Sequence, residues 1–456
     1  MDLLTVLRPR FFAFLILLFG PAFSPLTLLG QQAAPPPPAA STPAGNTDFL
    51  KAADEVLADM SQITGWKLKT PLKKSLRSRD EIRAYVIRQM DDEKDATARY
   101  ASRRSAEAFG LIPRGFDLDD FLVNLLTEQI AGLYDPKAHE FYIAAWIPAE
   151  DQRMVMAHEL THALEDQYFP VEDWVKAAKP NDDAELARES VLEGSAMAAM
   201  LEYMLRDKNL SLRDLPDIDP SAFVGDMADT PILKKAPPFI KDSLMFPYFA
   251  GLNFSIVVLK GGGWRSFDAV FAKPPANTQQ ILHPEIYRAG KIPEPLKLDL
   301  PDSIPGDSWT LLEQNHLGEF GWREVGKQYF EEQRAKDLAA AWDGDIYSTY
   351  ESKSGQKEGK SLLLFTRLRL ASEAKTNQFF IQYSQALEKK YPTRSHISAA
   401  QSYLSFDSPD GPVSFRCVAK ECITQEGGDR ALFLQWTKHL TWLDPAVSIT
   451  SIATQR

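Results

Sequence analysis

Met154-Val155-Met156-Ala157-His158-Glu159-Leu160-Thr161-His162-Ala163-Leu164-Glu165-Asp166 carries one His-Glu-x-x-His pattern, the most informative feature of the chain. On a helix, His158 and His162 are i and i+4, so both rings leave the same face one turn apart. That spacing lets two imidazole nitrogens grip one Zn2+ at roughly 2.0–2.1 Å. Glu159 lies about 100° further round, where it reaches a water on the ion without being a ligand. The pattern divides the work between two ligands and one general base. The helical wheel gathers Met156, Ala157, Leu160, Ala163 and Leu164 on an arc suited to a core. His158, Glu159, His162 and Asp166 fall on the opposite arc, suited to a polar cleft. Pro148 sits just inside the expected start of this helix, where proline is tolerated.

A catalytic zinc needs a third protein ligand and an open position. The next histidine is His283, far along the chain. The nearer candidates lie in Glu189-Ser190-Val191-Leu192-Glu193-Gly194-Ser195-Ala196, within a strong helical pattern from Asp182 to Tyr203. Glu193 is the first choice and Glu189, one turn earlier on the same face, is the runner-up. Asp166 is placed either to accept the second ring N–H of His162 or to sit as a solvated charge at the helix end. His283 and Tyr248 are candidates for stabilising an oxyanion by hydrogen bonding; for His283, capping a helix or packing beneath the cleft is an equal alternative.

At these residues the chain resembles the gluzincin metallopeptidases, in which His-Glu-x-x-His is followed downstream by Glu-Gly-x-Ala. The resemblance implies that the glutamate before the glycine, Glu193, is the third zinc ligand. Further segments resemble a poorly characterised group of exported bacterial gluzincin-like proteins. They are Glu128-Gln129-Ile130-Ala131-Gly132-Leu133-Tyr134-Asp135-Pro136, His158 to Gln167, Val191 to Ala196, and Gln280-Ile281-Leu282-His283-Pro284-Glu285-Ile286-Tyr287. This similarity runs from about Pro71 into the C-terminal region, where it weakens. The zinc motif is specific; the other segments point to the group and not to a substrate.

Length and composition frame this reading. A chain of 456 residues with 44% hydrophobic and 25% charged residues has the balance of a soluble globular protein of two or three domains. Its net charge of −11 and lack of a basic stripe argue against a nucleic-acid partner. Arg8 and Arg10 precede the apolar run Phe11 to Phe19, a pattern that reads as an export signal over residues 1–30. Its cleavage is expected between Gly30 and Ala34, with an uncleaved anchor as the alternative. The chain is therefore expected in the periplasm or outside the cell, with no integral membrane domain beyond the signal segment. The two cysteines, Cys417 and Cys422, have four residues between them. After export, a local disulfide is the expected state; a redox or metal pair is the alternative.

Residues 31–46 read as a proline-rich linker, residues 47–291 as a largely helical, zincin-like α+β metallopeptidase domain with a small sheet, and residues 292–456 as a smaller α+β domain. The pattern is helical from Thr47 to Leu126, with Phe116-Asp117-Leu118-Asp119-Asp120-Phe121 opening a new helix. Gly132-Leu133-Tyr134-Asp135-Pro136-Lys137 reads as a turn before a strand at Glu140-Phe141-Tyr142-Ile143-Ala144. That strand is expected either to offer its edge to an extended peptide or only to pack the sheet. Ser361 to Thr366 reads as a strand and Ser372 to Lys390 as an amphipathic helix. Val413-Ser414-Phe415 and Cys422-Ile423-Thr424 read as a hairpin. Two functions fit these features. One is a metallopeptidase acting on a peptide or protein substrate. The other is an inactive envelope binding or scaffold protein stabilised by zinc.

Overall fold

The computed structural model describes residues 12–15, 46–90, 93–215, 231–354 and 362–440. Most of the expected signal and all of the linker up to residue 45 lie outside them. The exception is a short strand, β1 (Phe12–Leu15). Helix α1 (Asn46–Thr64) leads to strand β2 (Lys73–Arg77), helices α2 (Arg79–Met90), α3 (Glu93–Phe109) and α4 (Leu118–Gln129), and the strands β3 (Ile130–Asp135) and β4 (Glu140–Ala144). Asp117 caps α4 by accepting from the Asp120 N–H, in keeping with the acidic start read in the sequence. Two departures stand out. Helical periodicity is broken by β2, whose Lys-Lys-Ser-Leu-Arg sequence is only half-buried and carries no apolar alternation to announce it. Ile130–Asp135 is a fully buried strand and not a turn; the turn is confined to residues 136–139.

Strand β4 runs antiparallel to β3 and parallel to β2. Both of its edges are therefore paired, so of the two alternatives for Glu140–Ala144 the strand packs the sheet and does not offer a free edge. The outer strands of this sheet are β1 and β2; β1 pairs antiparallel with β3, with Phe12 opposite Tyr134. Against this small sheet lie α5 (Ala149–Tyr168), then α6 (Val171–Lys176), α7 (Asp182–Leu205) and α8 (Pro238–Gly262). By length and composition α8 could cross a membrane, but 67% of its apolar window is buried inside the protein. Short helices α9 (Ser266–Ala272), α10 (Thr278–Leu282) and α11 (Pro284–Arg288) come next.

The C-terminal part is built on strands β5 (Trp309–Asn315), β6 (Trp342–Ser352), β7 (Leu362–Leu370), β8 (Ser395–Ala400), β9 (Tyr403–Ser408), β10 (Gly411–Val418) and β11 (Glu421–Gly427). Helices α12 (Gly318–Lys327), α13 (Glu332–Ala339), α14 (Glu373–Lys390) and α15 (Arg430–His439) are interspersed. The strands form one antiparallel sheet in the order β5-β6-β7-β11-β10-β9-β8. The architecture is thus mixed α+β, with a small sheet among helices and a larger sheet covered on both faces. On one face Phe380 of α14 stacks on Phe415, with ring centroids 5.0 Å apart. On the other, Trp436 of α15 meets Phe365 edge-on at 5.2 Å and donates its indole N–H to the Leu298 carbonyl.

Helix α3 comes from the N-terminal half yet packs on this larger sheet. Ser102, Ser105 and Phe109 share one face of it at helical spacing. Ser102 donates to Glu313, Ser105 donates to Thr349, and Phe109 lies edge-on to Tyr347 at 5.0 Å. One continuous core runs from Phe49 to Cys422, across the domain boundary expected near residue 292.

The cysteines face one another across the β10–β11 hairpin and form a buried disulfide. The loop it closes is short, so replacing both cysteines with alanine should cost about 2 kcal/mol in urea unfolding. Metal content should be unchanged, because the hairpin lies on a different element from the histidines. A loss of metal on this replacement would contradict the assignment of a purely local clamp.

Candidate metal centre

The His-Glu-x-x-His segment lies within α5, as its periodicity requires. Its expected polar arc does not face a cleft open to solvent, however. His158, Glu159 and His162 have no exposed surface, because α7 and β3 pack around that side and Tyr248 of α8 lies against His158. Spacing of four residues brings the two rings together edge-on, with centroids 4.8 Å apart. Their Nε2 atoms are 3.1 Å apart. Where α7 crosses α5, Glu193 projects its Oε2 to 3.2 Å from His158 Nε2 and 3.5 Å from His162 Nε2. His158, His162 and Glu193 thus form a buried group able to hold a metal ion. Glu189 is not a member of it.

Glycine makes the close approach possible. A Cβ on Gly194, next to Glu193, would lie 2.1 Å from the Gly251 backbone on α8. A Cβ on Gly251 would lie equally close to the Ser190 carbonyl. With hydrogen at both positions, the backbones of α7 and α8 touch. Tyr248 lies one turn before Gly251, and its ring stacks beside His158 at 6.1 Å and 27°. On the opposite side, a Cβ on Gly132 would meet Val155 Cγ1 at 2.5 Å and Glu159 Cγ at 3.2 Å, so β3 lies directly on α5. The Tyr134 N–H of β3 donates to Glu159 Oε2 at 2.8 Å.

Two expected roles change. Asp166 does not take the second ring nitrogen of His162; it accepts from the Tyr134 hydroxyl at 2.7 Å and from the Val171 N–H. The partner of His162 Nδ1 is Glu165, whose Oε2 lies 3.1 Å away. Its other oxygen accepts from Ser195 of α7. The i, i+3 spacing of His162 and Glu165 was the available signal for this contact. His283 is not part of the group either. Its Nε2 pairs with Glu319 Oε1 at 2.9 Å, and Glu285 lies on its other side. It joins α11 to α12 because Glu319, buried in the C-terminal part, offers the stronger partner. Of the two oxyanion candidates, only Tyr248 is found beside a histidine of the group.

Burial and mutual hydrogen bonding shift all three groups of the cluster. Burial, opposed by Glu193, lowers the His158 imidazole to about 4. Burial also works against charge on His162, but hydrogen bonds to Glu165 and Glu193 outweigh it and raise that ring to about 10. Burial would raise Glu193, yet both histidines outweigh it and lower the carboxyl to about 2. Near neutral pH the group therefore holds one neutral imidazole, one imidazolium and one carboxylate.

No family model matches the sequence, and no curated protein matches it. A solved structure from Chloroflexus aurantiacus, described as a "putative hydrolase with a novel fold", is 16% identical. The match covers 55% of this chain and 93% of that one, with a TM-score of 0.31. A likeness of that size establishes neither a shared fold nor a shared activity.

Metal binding must displace the His162 proton, because a ligating imidazole is neutral. His158 is already neutral and Glu193 already ionised, so each divalent ion should release about one proton. Affinity should tighten about tenfold per unit rise in pH between about pH 6 and 8. Calorimetry in two buffers of different ionisation enthalpy measures this directly. Binding without proton release would contradict the charge assignment.

Proposed function

We propose that the chain is an exported zinc metallopeptidase of gluzincin type. His158, His162 and Glu193 hold the ion and Glu159 acts as general base. The observation that carries this reading is the spacing of the three donor atoms, 3.1, 3.2 and 3.5 Å. Four ligands arranged tetrahedrally about zinc at roughly 2.0–2.1 Å have edges of about 3.3–3.4 Å. The donors are two nitrogens and one oxygen, a set that suits zinc. Both cysteines are in the disulfide, so neither is available as a fourth, structural ligand. Three protein ligands leave a position for water, as a catalytic site requires.

When bound, zinc supplies a Lewis acid that acidifies water and polarises a peptide carbonyl. The remaining work falls to the protein. Glu159 takes the proton of the attacking water and returns it to the leaving amine. The Tyr134 N–H holds one oxygen of that carboxylate and so fixes its direction. Tyr248 is the hydroxyl donor for the developing oxyanion. The substrate is an extended peptide lying antiparallel along the edge of β3 that Phe12–Leu15 occupies. Cleavage of the signal would uncover it. A disulfide is compatible with export to an oxidising compartment.

The second reading is an inactive envelope binding or scaffold protein that keeps the metal for stability. Complete burial of His158, Glu159 and His162 favours it. Substitution of the base separates the two. Glu159→Gln keeps size and hydrogen bonding, so it should retain metal and fold while losing about 10²–10⁴-fold in peptide hydrolysis. A peptide library that wild-type, zinc-loaded protein leaves uncut, or that Glu159→Gln cuts equally well, would transfer the conclusion to the scaffold reading.

A further inference from the structure

We propose that Glu165 is the positioning residue of the metal centre, orienting the His162 ring through its Nδ1 and tying it to the helix that supplies Glu193. The inference rests on the metal-binding reading of the same group. A carboxylate accepts hydrogen bonds and does not donate them. Burial pushes the Glu165 carboxyl up, opposed by its hydrogen bonds to His162 and Ser195; with that carboxyl ionised, the contact from His162 Nδ1 to Glu165 Oε2 at 3.1 Å puts the ring hydrogen on Nδ1. In the neutral ring this leaves the lone pair on Nε2, the atom that faces His158 and Glu193. Glu165 thus selects the tautomer and the ring orientation together.

The second carboxylate oxygen does a different job. Ser195 lies on α7, two residues past Glu193, and its hydroxyl donates to Glu165 Oε1. One buried side chain on α5 is therefore bonded both to a ligand on its own helix and to the helix of the third ligand. Glu165 has no exposed surface, so water does not compete for either oxygen. Its neighbour Asp166 points away to Tyr134 on β3 and takes no part in this bridge. The adjacent acids divide the two sides of α5 between them: Glu165 serves the ligand set and Asp166 serves the strand that holds Glu159.

The test measures affinity and not activity. Metal-free full-length protein is titrated with Zn2+ against a competing chelator, and with Co2+ while its visible absorption bands are recorded. Glu165→Gln should weaken zinc binding about 10–100-fold and shift the Co2+ bands. Ser195→Ala keeps every charge and should give a smaller loss in the same direction, below about tenfold. Asp166→Asn should leave zinc affinity within about twofold, since its contacts lie on the other side of the helix. Should Glu165→Gln fail to fold, Ser195→Ala set against Asp166→Asn still reads the bridge. Wild-type protein that takes up neither ion would overturn the metal reading and this inference with it. Wild-type protein that binds zinc, with Glu165→Gln matching it in affinity and Co2+ spectrum, would overturn the role of Glu165 alone. Equal losses from Asp166→Asn and Glu165→Gln would also overturn it, because a general loss of negative charge would then explain the effect.

Discussion

The crossing of α5 and α7 is the constraint on which the rest depends. Two imidazoles and a carboxylate meet there within 3.5 Å, none with more than a tenth of its side chain exposed. Burying such groups is expensive, and a well-packed apolar set of similar volume usually stabilises a fold as well or better. His162 lies between two carboxyl groups, Glu193 at its Nε2 and Glu165 at its Nδ1. That arrangement makes sense as a held ligand set more than as a source of stability.

Everything packed around the crossing serves to fix these atoms. Glycines at 132, 194 and 251 let a strand and a helix close in to backbone contact. The small sheet reaches Glu159 through the Tyr134 N–H and is pinned further along by the Tyr134 hydroxyl on Asp166, so one strand residue grips α5 at two points. Helix α8 carries Tyr248 to the far side of His158. The larger sheet lies elsewhere, but α3 and the His283–Glu319 contact join it to the helical part in a common core.

What can be read from the chain depends on how local each relation is. His158 and His162 are four residues apart on one helix, so their meeting follows from helical geometry alone. Glu193 lies on another helix and needs the resemblance of Glu-Gly-Ser-Ala to a motif. Glu165 and Asp166 are adjacent acids, both about one turn beyond His162. The wheel does not say which side α7 covers and which β3 covers, and it favours the wrong acid. His283 depends on Glu319, 36 positions away, and on how the C-terminal part docks. Strand β3 reads as a turn because Gly132 and Asp135-Pro136 resemble turn chemistry. Gly132 is there for a different reason: Val155 leaves no room for a side chain.

X-ray absorption at the zinc edge, on protein purified without added metal, tests the central claim most directly. The expected result is about one zinc per chain, with a first shell of nitrogen and oxygen at about 2.0–2.1 Å. Protein that carries no zinc, or a shell with sulfur at about 2.3 Å, would contradict it.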